Sequence, residues 1–375
     1  MRRHLLAVLI LSLALVPATA LGVAFEEHSS WQKEPWLETE KGVSLGMSVL
    51  EMGTGVRFLR SDTYFNSNGN IDDAPYKYDV LTWDLFWRFG FTENWTLWGN
   101  LPMVWSDQTN AERERKADGK LGDAETGILY QFFRRNDPTI SMGAKLRWKL
   151  PTGSEIPGKN NLNITGTGTT DVELDYVGRW QLWRYIAIGW SAGYNIRLPG
   201  PVQYILDRYT SITNAWLDLG DEINAELDFI GGIEYVALHL KARFSYRFAS
   251  KLAIPEYRQE TVRWTDPITG AEKQDQFLLY NGARYSKWDV LSPSGRQVSS
   301  AGFELSLTPR LIIRPVEWLD VIVYTTLHLI GKNSIYLTNK DGNNPTIDNF
   351  MPMQTLGTEA GLVIGESGLQ VLVRW

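Results

Sequence analysis

Apolar and polar residues alternate with a period of two along most of this chain. In 139–150 the residues Ile140, Met142, Ala144, Leu146, Trp148 and Leu150 alternate with Ser141, Gly143, Lys145, Arg147 and Lys149. In 171–182 the residues Val172, Leu174, Tyr176, Gly178, Trp180 and Leu182 alternate with Asp171, Glu173, Asp175, Val177, Arg179 and Gln181. Such a period puts each set on one face of a β-strand. The same pattern predicts strands over 43–59, 76–91, 95–105, 122–133, 185–198, 222–235, 238–249, 298–314 and 318–330, and one that runs to the terminus. In the first of these the alternation changes phase near Val49-Leu50, which predicts a bulge.

A soluble sheet would need another layer to cover its apolar face. No helical segment is patterned to supply one. The apolar faces are therefore expected to meet lipid and the charged faces a lumen. Connection lengths point the same way. Loops 60–75, 107–121, 151–168, 199–221, 250–297 and 331–353 are long; turns 92–94, 134–138, 183–184, 236–237 and 315–317 are short. An alternation of long and short connections is expected of a transmembrane antiparallel up-and-down β-barrel of about twelve strands, with short periplasmic turns and long extracellular loops. Aromatic residues cluster near both sets of connections. Phe91, Trp95, Phe133, Trp180, Tyr235 and Trp318 flank short turns, and Trp105, Trp148 and Phe248 flank long loops, as interfacial girdles do. Within loop 250–297, Asp266–Gly270 is expected to turn a hairpin.

The start of the chain carries Arg2-Arg3, an apolar run from Leu5 to Val16 and Ala18-Thr19-Ala20, the pattern of a signal peptide over 1–20. Its two arginines take the formal net charge from −6 to −8 on removal, which argues against a nucleic-acid partner. The chain has no cysteine, so it offers no disulfide, thiolate metal site or lipid-anchor cysteine. Residues 21–42 are expected either as a periplasmic tail or as a plug segment, with the barrel over 43–375. Trp375 ends the last alternating run and so resembles the C-terminal signal read by barrel-assembly machinery. That machinery and outer-membrane lipid are the expected partners.

Several stretches resemble a bacterial outer-membrane transporter family named for the meta-pathway of phenol degradation. They are Tyr78-Asp79-Val80-Leu81-Thr82 leading to Phe89-Gly90-Phe91-Thr92-Glu93-Asn94; Leu101-Pro102-Met103-Val104-Trp105; Leu121-Gly122-Asp123-Ala124; and Lys149-Leu150-Pro151-Thr152-Gly153 followed by Gly166-Thr167-Gly168. The resemblance covers roughly residues 40–200. It implies an outer-membrane barrel that passes small molecules, and no catalytic residues.

Charge rows are the strongest candidate for chemistry. If Lys149 lies across from Asp171, antiparallel register sets Arg147 opposite Glu173 and Lys145 opposite Asp175. The hairpin 222–249 carries Glu222, Glu226, Asp228 and Glu234 on one strand and His239, Lys241, Arg243 and Arg247 on the next. A turn at 236–237 would bring Glu234 near His239 and Glu226 near Arg247, with Asp228 diagonal to Arg243 and Arg247. Such rows set up a field that selects small charged or dipolar solutes. Alternatively they neutralise one another, filling a narrow bore and leaving the external loops to bind a partner or envelope component.

An outer-membrane hydrolase is the third reading. It lacks a nucleophile elbow, and His239 and His328 point inward by the strand phase. No His-x-x-x-His metal pair occurs, and no cofactor is expected. Residues 66–73 and 339–344 resemble fragments of calcium loops, but turn chemistry accounts for both.

Overall fold

The computed structural model describes residues 42–65, 70–110, 114–136, 139–153, 166, 168–183, 186–205, 211–233, 235–253, 258–267, 269–280, 283–285, 296–297, 301–316, 318–332 and 362–374. Twelve strands form its wall: β1 (Leu50–Phe65), β2 (Ile71–Gly90), β3 (Trp95–Asn110), β4 (Ala124–Asn136), β5 (Thr139–Leu150), β6 (Asp171–Trp183), β7 (Ile186–Arg197), β8 (Glu222–Gly232), β9 (Val236–Arg247), β10 (Gly302–Val316), β11 (Leu319–Lys332) and β12 (Leu362–Arg374). Each pairs antiparallel with its neighbours in sequence, and β12 pairs with β1 from Glu51↔Arg374 to Tyr64↔Leu362. The sheet is closed, which removes the unpaired edges that a hydrocarbon medium would penalise. No helix occurs among the described residues.

The wall is inverted relative to a water-soluble protein. Leu174, Leu227, Leu329 and Trp183 stand exposed on the outside, while Asp171, Glu173, Asp175 and Asp228 are buried inside. This is the arrangement expected where lipid solvates the outer surface. Near the short turns the outer aromatics form a belt across β2 to β6. Trp95 stacks on Tyr130 at 4.3 Å between ring centroids, and Phe132 lies 6.0 Å from Tyr176. Near the long loops Tyr246 meets Phe248 edge-on at 5.4 Å.

Two of the expected boundaries change. Several long loops are paired rather than irregular. β1 and β2 continue pairing out to Phe65↔Ile71, and residues 114–121 fold back on β3. Loop 199–221 pairs with itself and with 251–253, which pairs in turn with 296–297, making a four-stranded sheet from two different connections. Residues 258–265 and 272–280 form the hairpin expected in loop 250–297; Asp266 N–H donates to Ala271 O at 2.9 Å, and Gly270 takes a left-handed φ of 68°.

The other change concerns 43–49, expected as the start of the first strand. The phase change at Val49-Leu50 is not a bulge but the end of the strand. Before it the chain turns through Gly46 (φ 84°) and Ser48 (φ 65°) and folds into the short-turn end of the barrel. A Cβ on Gly90 would lie 1.7 Å from the Gly46 carbonyl oxygen, so glycine is required where the two segments cross. Trp375 and residues 1–41, including the expected signal peptide, lie outside the described residues.

Candidate functional site: the barrel lumen

The lumen divides into a filled end and an open end. At the short-turn end Ile230, Ala237, Ile312, Ile322 and Leu372 pack together with Phe86. Val43, Leu45, Leu129 and Val177 are buried at the same end, and Leu45 is 0% exposed. Polar side chains of the wall hold the incoming segment. Ser44 N–H donates to Gln131 Oε1 at 3.0 Å and Leu45 N–H to Thr96 Oγ1 at 2.9 Å; Ser44 Oγ donates to Glu93 O and Ser141 Oγ to Gly42 O. Three enclosed pairs lie near this level: Glu51 with Arg88 at 3.2 Å, Asp228 with His239 at 2.8 Å, and Arg314 with Asp320 through two bonds of 2.6 and 2.9 Å.

Above this floor lie two cavities, of about 360 and 530 Å³. Strands β5 and β6 supply one charged wall. Their register sets Lys149 opposite Asp171, Arg147 opposite Glu173 and Lys145 opposite Asp175. Lys149 Nζ lies 2.5 Å from Asp171 Oδ2, and Thr169 Oγ1 donates to the other oxygen of Asp171 at 2.9 Å. Arg147 bridges Glu173 and, at 3.3 Å, Glu125 of β4. The Lys145 ammonium sits 4.7 Å from the centre of the Trp98 ring, a cation–π contact. Asn224 Nδ2 donates to Glu173, carrying the network over Gly193 of β7 to β8.

On β8 and β9 the register differs from the sequence expectation. Glu226 lies opposite Arg243, Asp228 opposite Lys241, and Arg247 opposite Glu222. The ladder ends at Gly232↔Ala237, and Ile233 N–H donates to Val236 O, so the turn closes before Val236 rather than at 236–237. Every partner therefore slides along the strand. His239 meets Asp228 instead of Glu234; Glu226 meets Lys241 at 2.9 Å and Arg243 at 3.9 Å instead of Arg247. Glu234 lies outside the described residues.

Several lumen residues escaped the pattern reading. Arg57 and Tyr324 lie in wall strands with weak alternation, and Arg310 follows Pro309 inside β10. Arg57 approaches Asp84 at 3.9 Å, and Arg310 lies 5.7 Å from the Tyr324 ring centre. The signal for Arg310 was present in Leu305, Leu307, Pro309 and Leu311, whose spacing leaves 304, 306, 308 and 310 inward. His328 pairs with Glu304, so neither it nor His239 offers an outward-facing catalytic histidine. The calcium-loop-like fragments lie largely outside the described residues.

No family model matches the chain, so the likeness to the phenol-pathway family rests on its short motifs. The structure is similar to the COG4313 outer membrane channel from Pseudomonas putida F1, with a TM-score of 0.56 and 9% identity over 91% of this chain and 100% of that one. The fold is that of an outer-membrane channel. Weaker similarity extends to the beta domain of the Bordetella autotransporter BrkA (TM-score 0.42, 10% identity, 86% and 99% coverage). It extends also to a Pseudomonas aeruginosa FadL homologue (TM-score 0.36, 9% identity, 92% and 97% coverage).

Proposed function

We propose that the protein is an outer-membrane channel for passive movement of small molecules, with the charged rows forming the solute path. The observation that carries this reading is the pair of cavities within a closed wall, both lined by charged side chains with an apolar floor beneath. Charges held on a low-dielectric wall act on a solute far more strongly than the same charges in bulk water. Their partners are spread around the bore, so the side chains are positioned rather than collapsed into isolated pairs.

Refolded protein in a planar bilayer at moderate salt is expected to give discrete current steps. Sustained silence from protein shown to be folded would contradict the channel reading. The apolar floor gives weight to a second reading, a closed barrel whose external loops bind a partner, and silence would favour it.

A second measurement addresses the β5 row. Neutralising Lys145, Arg147 and Lys149 together leaves Asp171, Glu173 and Asp175 without their facing cations. The reversal potential in a salt gradient is expected to move toward cation preference. An unchanged reversal potential would remove this row from the solute path.

A further inference from the structure

The two cavities meet at a neck, and the neck is cationic. Among the described residues six line both chambers: Arg57, Lys241, Arg243, Arg310, Tyr324 and Gln370. Four of the six carry positive charge, and none is acidic. The upper chamber extends the bias: its described lining holds seven Lys or Arg against three acids, Glu222, Glu304 and Glu366. This runs against the chain as a whole, whose formal net charge is −6. Acids do touch the neck from its rim: Glu226 bonds Lys241 at 2.9 Å, Glu222 reaches Arg243 at 3.2 Å, and Asp84 stands 3.9 Å from Arg57. Even so, the Arg57 and Arg243 side chains stay 36% and 45% exposed inside the bore.

We infer that this neck is a binding and selecting site for small organic anions, carboxylates with an apolar body. The assignment rests on the channel reading above. Guanidinium groups present paired N–H donors that match the two oxygens of a carboxylate. Tyr324 adds a hydroxyl and Gln370 an amide at the same level, either of which can donate to an anion. Below the neck, Phe86, Leu129, Val177, Ile312, Ile322 and Leu372 form the apolar part of the lower cavity, whose walls also carry ion-paired side chains such as Arg147 with Glu125 and Glu173. A carboxylate held at the neck therefore leaves its hydrocarbon part pointing at an apolar floor. An inorganic anion would lack the apolar contact with this floor.

The test is single-channel recording from the full mature chain under a potassium chloride gradient, followed by addition of benzoate, hexanoate or neutral benzamide. The expected reversal potential has the sign of anion preference, and the two carboxylates reduce chloride current where benzamide does not. Arg57→Gln and Arg310→Gln should each lower the anion-to-cation permeability ratio about sevenfold, since one charge acting through water across ~7 Å weights the anion up and the cation down by about threefold each. Arg57→Lys and Arg310→Lys should retain the ratio but weaken block by the carboxylates. Arg247→Gln, in the upper chamber away from the neck, should change the ratio less than either neck substitution.

Current steps with cation preference, or equal block by benzoate and benzamide, would overturn the neck assignment while leaving the channel intact. Absence of steps from folded protein would overturn both. The sign of the wild-type reversal potential decides the matter even where a variant fails to fold.

Discussion

A barrel refolded from residues 46–375 is expected to turn rare openings into nearly continuous current. The residues lost include Val43 and Leu45, whose side chains fill the short-turn end of the bore, and Ser44, whose backbone and hydroxyl bond Gln131 and Glu93. Burying the two apolar side chains is worth about 1.5–3 kcal/mol each. The hydrogen bonds from Ser44 and Leu45 to the wall add about 1 kcal/mol apiece. These sum to about 6–9 kcal/mol, and ordering residues 43–45 costs about 1–2 kcal/mol each, which leaves a bias of a few kcal/mol toward the filled state. Truncation removes that bias and leaves the wall ladder of β1 untouched from Leu50 onward. Open probability in planar bilayers is the readout. A truncated barrel that opens no more often than the parent would show that the segment does not limit conduction. Thr96→Val with Gln131→Leu should raise open probability in the same direction but by less, since the apolar contacts remain.

Arg314→Met is expected to be among the most destabilising single substitutions in the wall. Arg314 and Asp320 are almost wholly buried and share two hydrogen bonds, across the turn that joins β10 and β11. Removing the guanidinium strands a buried carboxylate, at a cost of about 3–5 kcal/mol. Replacing both partners removes the charge that needs compensation. Arg314→Met with Asp320→Leu should therefore recover most of the loss. Urea unfolding of the barrel in lipid vesicles, with all four members of the cycle, reads this directly. A double variant as unstable as the single one would mean that other contacts of Arg314, rather than the pair, hold this end of the wall.

The period-two alternation made the wall legible. The strand positions, their number and the inward charge of β5 and β6 all follow from which residues must avoid lipid. The β5–β6 register was legible because oppositely charged residues faced each other at matching intervals on both strands. The β8–β9 register was not. There the acids and bases also repeat every two residues, so a slide along the strand preserves opposite charges. What decides between registers is the turn. Gly232 and Ala237 approach so closely that a Cβ on Gly232 would lie 2.6 Å from the Ala237 Cα.

The inward fold of 43–49 was hidden for a related reason. Val43, Leu45 and Val49 alternate as a strand would, but their apolar side chains face a protein interior rather than lipid. Alternation reports that one face avoids water; it does not say what covers that face. The neck was missed because its members come from β1, β9, β10, β11 and β12. No window of sequence contains them together, and only closure of the sheet brings the first strand beside the last.

The four-stranded sheet above the barrel has a mechanical consequence. Residues 200–205 and 211–218 rise from the connection between β7 and β8, whereas 251–253 and 296–297 belong to the connection between β9 and β10. Shared ladder bonds fasten the two, so neither can swing aside without breaking backbone pairs in the other. On the opposite rim the wall ladder itself extends upward: β2 pairs with β3 as far as Tyr76↔Asn110, and 114–121 pairs with β3. Among the described residues the rim is thus braced by two different means, a separate sheet made from two connections on one side and a raised wall ladder on the other. Bending either side outward would break backbone pairs between neighbouring strands.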